Sequence, residues 1–242
     1  MADSFAFVSD LHVAPGNKEH AEHFGAFLGA IRPTVSHLYI LGDLFDYWIG
    51  RGHEKQPEYQ AVLQHIRQAA DSGLKVFVLH GNRDFLLNSR VGRICGARIM
   101  GDSVTLRLDG KLAYLCHGDE LCESDHGHHS LHRVLRSRMF KITYGACPFF
   151  IRDRLACMLR SISGQCVAGK SERVTAISDA AIERLLSAGA DVIIHGHTHC
   201  HGQRVIQYGG TSRSLYNLGD WSQNGSYLLY ANGEFKLLHF EW

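Results

Sequence analysis

Five short apolar runs along the chain each end abruptly in polar residues. Residues 5–8 run into Ser9-Asp10-Leu11-His12, residues 37–41 into Gly42-Asp43, and residues 75–79 into His80-Gly81-Asn82-Arg83-Asp84. Further on, residues 111–116 run into His117-Gly118-Asp119, and residues 191–194 into His195-Gly196-His197-Thr198-His199. Short continuous apolar runs rich in Val and Ile predict strands buried on both faces. Between them, residues 18–31 and 57–72 carry apolar positions at helical spacing, and Gly73 offers a stop for the second helix. Strands alternating with helices, with polar residues just past each strand, predict an α/β fold whose ligands gather beyond the strand ends. Two further stretches alternate as antiparallel hairpins would: 103–116 around Asp109-Gly110, and 226–240 around Asn232-Gly233. The expected architecture is therefore two packed sheets flanked by helices, without internal repeats or low-complexity linkers.

One segment breaks this rhythm. Residues 129–173 hold nine basic and two acidic side chains, a net charge of +7 within a chain whose total is +1. Bulky apolar residues, among them Leu131, Phe140, Phe149, Phe150 and Ile151, sit between the charges. Basic helices with such residues suit a membrane surface or an amphiphilic ligand. A helical hairpin with a solvated basic face would read the same way. Pro148 is expected to divide the segment into two helices.

Composition narrows the remaining classes. With 242 residues, 45% hydrophobic and 20% charged, the chain has material for one large domain, or one carrying an insertion, and disorder is excluded. The balance of 25 basic against 24 acidic residues argues against a dedicated nucleic-acid binder, whose phosphate contacts require a basic excess. Seven cysteines without a CxxC pair argue against a disulfide framework or zinc knuckle, and predict small core fillers in a reducing compartment. The N-terminal MADSFAFVSDLH lacks a basic, then apolar, leader, and no 18-residue apolar run exists, so a cytoplasmic location is expected.

Histidine is abundant, at 17 residues, and its placement carries the chemistry. The predicted strand ends deliver Asp10 and His12, Asp43, Asn82, His117, and His197 with His199. Each alone has a mundane explanation: a turn, a strand end, a hydrogen-bonded histidine. On an extended chain His197 and His199 would point the same way and grasp neighbouring ions. Imidazoles and carboxylates without thiolate suit Mn²⁺, Fe²⁺ or Zn²⁺. A carboxylate able to bridge, an Asn amide oxygen and several imidazoles describe a two-metal centre, which ionises a water and clamps phosphorus oxygens.

The series Asp10-x-His12, Gly42-Asp43, Gly81-Asn82, His117 and Gly196-His197-x-His199 resembles the calcineurin-like metallophosphoesterases over nearly the whole chain. The resemblance implies that Asp10, His12, Asp43 and His199 hold one ion. It implies that a bridging Asp43, with Asn82, His117 and His197, holds the other. The blocks LGDLFDYWIG (41–50), HGNRDFLL (80–87), HGDELC (117–122) and LGDW (218–221) further resemble the UDP-2,3-diacylglucosamine hydrolases. That family cleaves a pyrophosphate with two Mn²⁺ ions, releasing UMP and a diacylated glucosamine 1-phosphate for lipid A synthesis. It is peripheral on the cytoplasmic face of the inner membrane, and its partners are the UDP-linked lipid and that membrane surface.

Several roles follow from the resemblance alone. Asn82, Arg83 and His117 are implied to be catalytic. Arginine cannot give up its proton but can neutralise a pyrophosphate oxygen, and a phosphate leaving group has little need of a general acid. Asn82, Arg83, Asp125, Ser163, Lys170 and His197 are implied to contact substrate. Residues 122–175 correspond to a helical cap inserted in a single domain spanning 1–242, and the cap receives the acyl chains. Val167 departs from the family, which has Asn there, and Asp46-Tyr47 and Cys200-His201 are looser fits. Two other readings stay open: a phosphodiesterase for another nucleotide or nucleotide-linked lipid, and a non-catalytic binding module on the same scaffold.

Overall fold

The computed structural model of the chain describes residues 3–122, 144, 147–152, 154 and 177–242. A first sheet is built on four parallel strands, β1 (Phe5–Val8), β2 (His37–Ile40), β3 (Lys75–Leu79) and β4 (Arg98–Gly101). The second contains the hairpin β5 (Ser103–Leu108) and β6 (Lys111–Cys116), then β7 (Val192–His195), β8 (Gly202–Tyr208) and β9 (Thr211–Asn217). Here β6, β7 and β9 run parallel, with β5 and β8 antiparallel at the edges. A last hairpin, β10 (Gly225–Ala231) and β11 (Glu234–Phe240), returns to the first sheet and pairs antiparallel with β1. The orders are β11-β10-β1-β2-β3-β4 and β5-β6-β7-β9-β8.

The apolar runs bury both faces because each strand divides its side chains between two layers. Phe7, Tyr39, Leu41, Leu79, Leu115, Val192 and Ile194 pack between the sheets. Their neighbours Val8, Leu38, Ile40 and Val78 face the other way, onto Phe24 and Phe27 of helix α1 (Lys18–Ile31) and Tyr59 and Ile66 of helix α2 (Pro57–Asp71). On the far side Ile193 packs with Ile182 and Leu186 of helix α4 (Asp179–Ser187), which follows α3 (Ser89–Cys95) among the described helices. Fully burying one such large apolar side chain contributes roughly 1.5–3 kcal/mol.

The predicted helices and hairpins appear where the sequence placed them. Both hairpin turns use left-handed backbone at two successive positions, Asp109 (φ 46°) with Gly110 (85°) and Asn232 (φ 53°) with Gly233 (81°), the geometry a two-residue hairpin requires. Strands β4, β8 and β9 and helices α3 and α4 had no clear signature. β4 and α3 are short, β8 lies at a sheet edge where an exposed face dilutes the apolar run, and β9, although inside its sheet, buries only Leu215 and Tyr216.

Of the expected cap, only residues 122, 144, 147–152 and 154 are described, so its bounds and the helices expected around Pro148 lie outside the described residues. Pro148 itself stands directly before a helical turn, its carbonyl accepting from Ile151 N and Arg152 N. Among the described residues no helix is long and apolar enough to cross a membrane.

Candidate metal centre

The parallel strands of both sheets end on one side of the molecule, so the residues following them meet there. Val8 lies beside Ile40 and Ile40 beside Val78, while in the second sheet Leu115 lies beside Ile194 and His195 beside Asn217. Past the strands the loops stitch to one another. Asp10 N donates to Gly42 O (3.2 Å), His12 N to Asp43 O (2.9 Å), and Gly196 N to His117 O (2.8 Å). The sheets are joined by Asp10, whose Oδ2 accepts from His197 N at 2.8 Å.

Backbone conformation singles out the same residues. Among the described residues seven non-glycine positions have positive φ. Two belong to the hairpin turns, and the other five are Asp10 (55°), His12 (49°), Asp43 (52°), His197 (70°) and His199 (56°). The left-handed region costs an L-residue on the order of 1–2 kcal/mol, and such strain gathers at functional sites. The segment 197–199 is therefore not extended as expected, and its two histidines lie beside different partners. His197 Nδ1 lies 3.3 Å from His117 Nε2, and His199 Nε2 lies 3.3 Å from His12 Nε2. Glycines let the loops approach: a Cβ on Gly42, itself at φ 88°, would lie 2.6 Å from the Gly81 backbone.

Among the described residues two groups of side chains have donor atoms close enough to share an ion: Asp10, His12 and His199, and Asp10, Asp43 and His117. Asp10 is common to both groups, and Asp43 lies between His12 and His117, its Oδ2 3.8 Å from His12 Nδ1 and 3.6 Å from His117 Nε2. Asp10 Oδ1, His12 Nδ1 and Asn82 Oδ1 are buried without a hydrogen-bond partner. Buried polar atoms without a hydrogen bond are costly, and a cation is the partner that suits all three. Second contacts orient the rings. His117 Nδ1 lies 3.0 Å from Leu41 O, so that nitrogen carries the proton and Nε2 is left as a ligand. His199 Nδ1 lies 3.1 Å from Asp220 Oδ2, which leaves its Nε2 facing Asp10.

Charge at the centre is mutually dependent. Burial opposes ionisation of Asp10, but His117, His12 and His199 outweigh it and hold the carboxyl well below its ordinary range. Burial likewise opposes protonation of His117, yet Asp43, Asp10, Asp119 and Asp84 push it up to about 9. His197 goes the other way, down to about 4, through burial and then the neighbouring His117. The donor set is thus rich in negative charge, which a divalent cation would neutralise.

Arg83 sits on the rim, with Nη1 2.7 Å from Asp46 Oδ1 and Nε 3.6 Å from Asp43 Oδ2. Its backbone N–H donates to Asp43 Oδ1 at 2.9 Å. Asp125, Ser163 and Lys170 lie outside the described residues, as does Val167.

Sequence reasoning did not assign Asp46, Asp84 or Asp220, although each stands inside a quoted block. Asp84 is fully buried and accepts from Gly81 N (2.8 Å), Leu44 N (2.9 Å) and Asp43 N (3.3 Å), tying the loops after β2 and β3 together. Burial and then the like charge of Asp43 raise its carboxyl to about 6. Replacing Asp84 by Ala frees both loops and is expected to weaken divalent-ion affinity by roughly 10- to 100-fold, as for other residues that orient ligands. Asp84→Asn, which keeps one acceptor oxygen, is expected to lose less. Calorimetric titration of both variants with Mn²⁺ checks the order.

The family of calcineurin-like phosphoesterases matches residues 4–201. A UDP-2,3-diacylglucosamine hydrolase of Haemophilus influenzae (strain PittGG) is 34% identical over 235 residues, spanning 96% of this chain and 97% of that protein. Another, from Stenotrophomonas maltophilia (strain R551-3), is 35% identical, spanning 94% and 95%. Among solved structures, a dimetal phosphatase from Danio rerio aligns with a TM-score of 0.53 at 12% identity, covering 98% of this chain and 95% of that one. An archaeal phosphodiesterase aligns with a TM-score of 0.50, also at 12% identity, covering 98% and 99%. At such identities these two structures speak to the fold alone.

Proposed function

The chain belongs to the calcineurin-like phosphoesterases and, within them, to the UDP-2,3-diacylglucosamine hydrolases, and from that premise we infer that it cleaves the pyrophosphate of UDP-2,3-diacylglucosamine to UMP and 2,3-diacylglucosamine 1-phosphate in lipid A synthesis. It is a metal-dependent hydrolase. The observation that carries this reading is Asp43, held in left-handed backbone between His12 and His117.

In this reading Asp10, His12, Asp43 and His199 hold one ion, and Asp43, Asn82, His117 and His197 hold the other. When bound, the pair supplies a water ionised near neutral pH and positive charge for the phosphorus oxygens. Mn²⁺ fits a set of imidazole, carboxylate and amide donors without thiolate. Arg83, tethered by Asp46, has further N–H groups to neutralise a pyrophosphate oxygen, and Asn82 and His197 orient the phosphate nearer uridine. No side chain is assigned to protonate the leaving group, because a phosphate departs readily as an anion.

Asp125, Ser163 and Lys170 hold the rest of the sugar nucleotide, and a helical cap over 122–175 receives the acyl chains. The cap's basic, apolar composition also supports peripheral contact with the cytoplasmic face of the inner membrane. Phe150 and Ile151, 71% and 45% exposed, favour that contact.

The decisive test combines chelation with product analysis. Protein stripped with EDTA is expected to release no UMP from UDP-2,3-diacylglucosamine, and readdition of Mn²⁺ restores release with one UMP per substrate. Val167, where the family has Asn, is the feature that favours a different nucleotide-linked substrate. Turnover of a generic aryl phosphodiester without UMP release from the diacylated sugar would decide for that second reading.

A further inference from the structure

We propose that Arg152 is a positioning residue: it latches the turn at 148–152 onto the loop at 49–52 and, through that loop, sets the pose of Arg83 at the metal centre. Arg152 is buried, 6% exposed, although it is charged. Its Nη1 donates to Ile49 O at 2.6 Å and its Nη2 to Arg51 O at 2.7 Å. Its guanidinium lies 5.9 Å from the ring centres of both Tyr144 and Phe149. Among the described residues no carboxylate pairs with it, and the backbone carbonyls and aromatic faces are what those residues set against the burial of this charge.

The loop is shaped to receive that group. Gly50 (φ 87°) and Gly52 (φ 102°) adopt backbone that suits glycine, and both are also closely approached. A Cβ on Gly50 would lie 3.1 Å from Arg152 Nη1, and one on Gly52 would lie 2.8 Å from the Phe149 ring. From below, His53 Nδ1 accepts from Ile49 N at 3.3 Å, so Ile49 is held through both its N–H and its carbonyl.

Ile49 is one peptide away from the catalytic rim. Trp48 N donates to Arg83 O at 3.0 Å, and Asp46, two residues earlier, holds the Arg83 guanidinium. A shift of Ile49 therefore moves the backbone of Arg83 and the carboxylate that aims its side chain. Arg152 thereby ties the segment expected to carry the lipid to the residue expected to carry the phosphate charge. This inference rests on the hydrolase reading for its kinetic consequence but not for the contact itself.

Arg152→Met in the full-length, Mn²⁺-loaded protein tests it, because Met keeps an apolar stem over the aromatic rings and removes both donors. The expected result is a fall in kcat with UDP-2,3-diacylglucosamine of roughly 10-fold or more, with a smaller change in KM, because a misposed Arg83 loses its hold on charge that develops in the transition state. Mn²⁺ affinity is expected to stay near wild type, and the Trp48 amide to exchange faster with solvent while β2 amides do not. Arg152→Lys is expected to recover little, since one ammonium cannot span two carbonyls. A merely structural residue would lower thermal stability and metal affinity without separating KM from kcat. Unchanged kcat and unchanged Trp48 exchange in either folded variant overturns the latch. Wild-type protein that releases no UMP would instead refute the hydrolase reading, and the exchange result would still decide the contact.

Discussion

Replacing Asp43 by Ala is expected to lower turnover by about 10³-fold or more and to reduce the ions bound per chain from two to at most one. Like Asp10, this carboxylate faces both His12 and His117, so its loss removes a shared donor rather than one ligand among several. Charge stabilisation by such ions amounts to several kcal/mol, and each 1.36 kcal/mol is about tenfold in rate. Asp43→Asn separates position from charge, because an amide oxygen can still accept from Arg83 N–H. In metal-free protein this variant loses the attraction of Asp43 for His117 together with its repulsion of the buried Asp84, so its stability is expected to change less than its metal binding. Metal analysis, turnover and thermal melting in EDTA check these expectations together. Near-normal turnover of the Asp43→Ala protein with Mn²⁺ would sink the two-ion assignment.

The second large effect is expected at Arg83. Arg83→Ala is expected to cost on the order of 10²- to 10³-fold in kcat/KM, the usual loss for a donor aimed at developing charge. Lysine is a poor substitute here, because Arg83 uses one nitrogen on Asp46 and points another at Asp43, and an ammonium has no such fork. Steady-state kinetics of Arg83→Ala, Arg83→Lys and Asp46→Asn, with the Arg83/Asp46 double variant, measure the coupling. Additive losses would show that Asp46 does not aim the guanidinium.

Both expectations begin from residues that the sequence singled out, but the reasons for their size are tertiary. Asp43 was legible as a strand-end carboxylate because an apolar run stops at Gly42. Its contact with His117 was not, since 74 positions separate them in the chain and no local propensity encodes the distance. Asp46 read as a poor fit to a family pattern, and only the packed loops reveal it as the tether of Arg83. Asp84 and Asp220 stood in plain view beside assigned residues. Nothing in their type distinguishes a carboxylate that caps three backbone N–H groups, or one that orients His199, from an ordinary turn residue.

What the amino-acid sequence determined by itself is whatever depends on near neighbours: the apolar runs that become strands, the two helices between them, the Asp-Gly and Asn-Gly hairpins, and the kinds of donor atom offered at each strand end. These follow from side-chain burial and backbone preference within a few residues. Tertiary structure decided which donors meet. It put the Asp10 carboxylate under the His197 N–H, 187 positions away, and it turned His197 and His199 toward different partners by forcing both into left-handed backbone. The pairing of parallel strands within each sheet, and the packing of the sheets face to face, supply the energy that sustains those strained positions, and that energy exists only once the chain has folded.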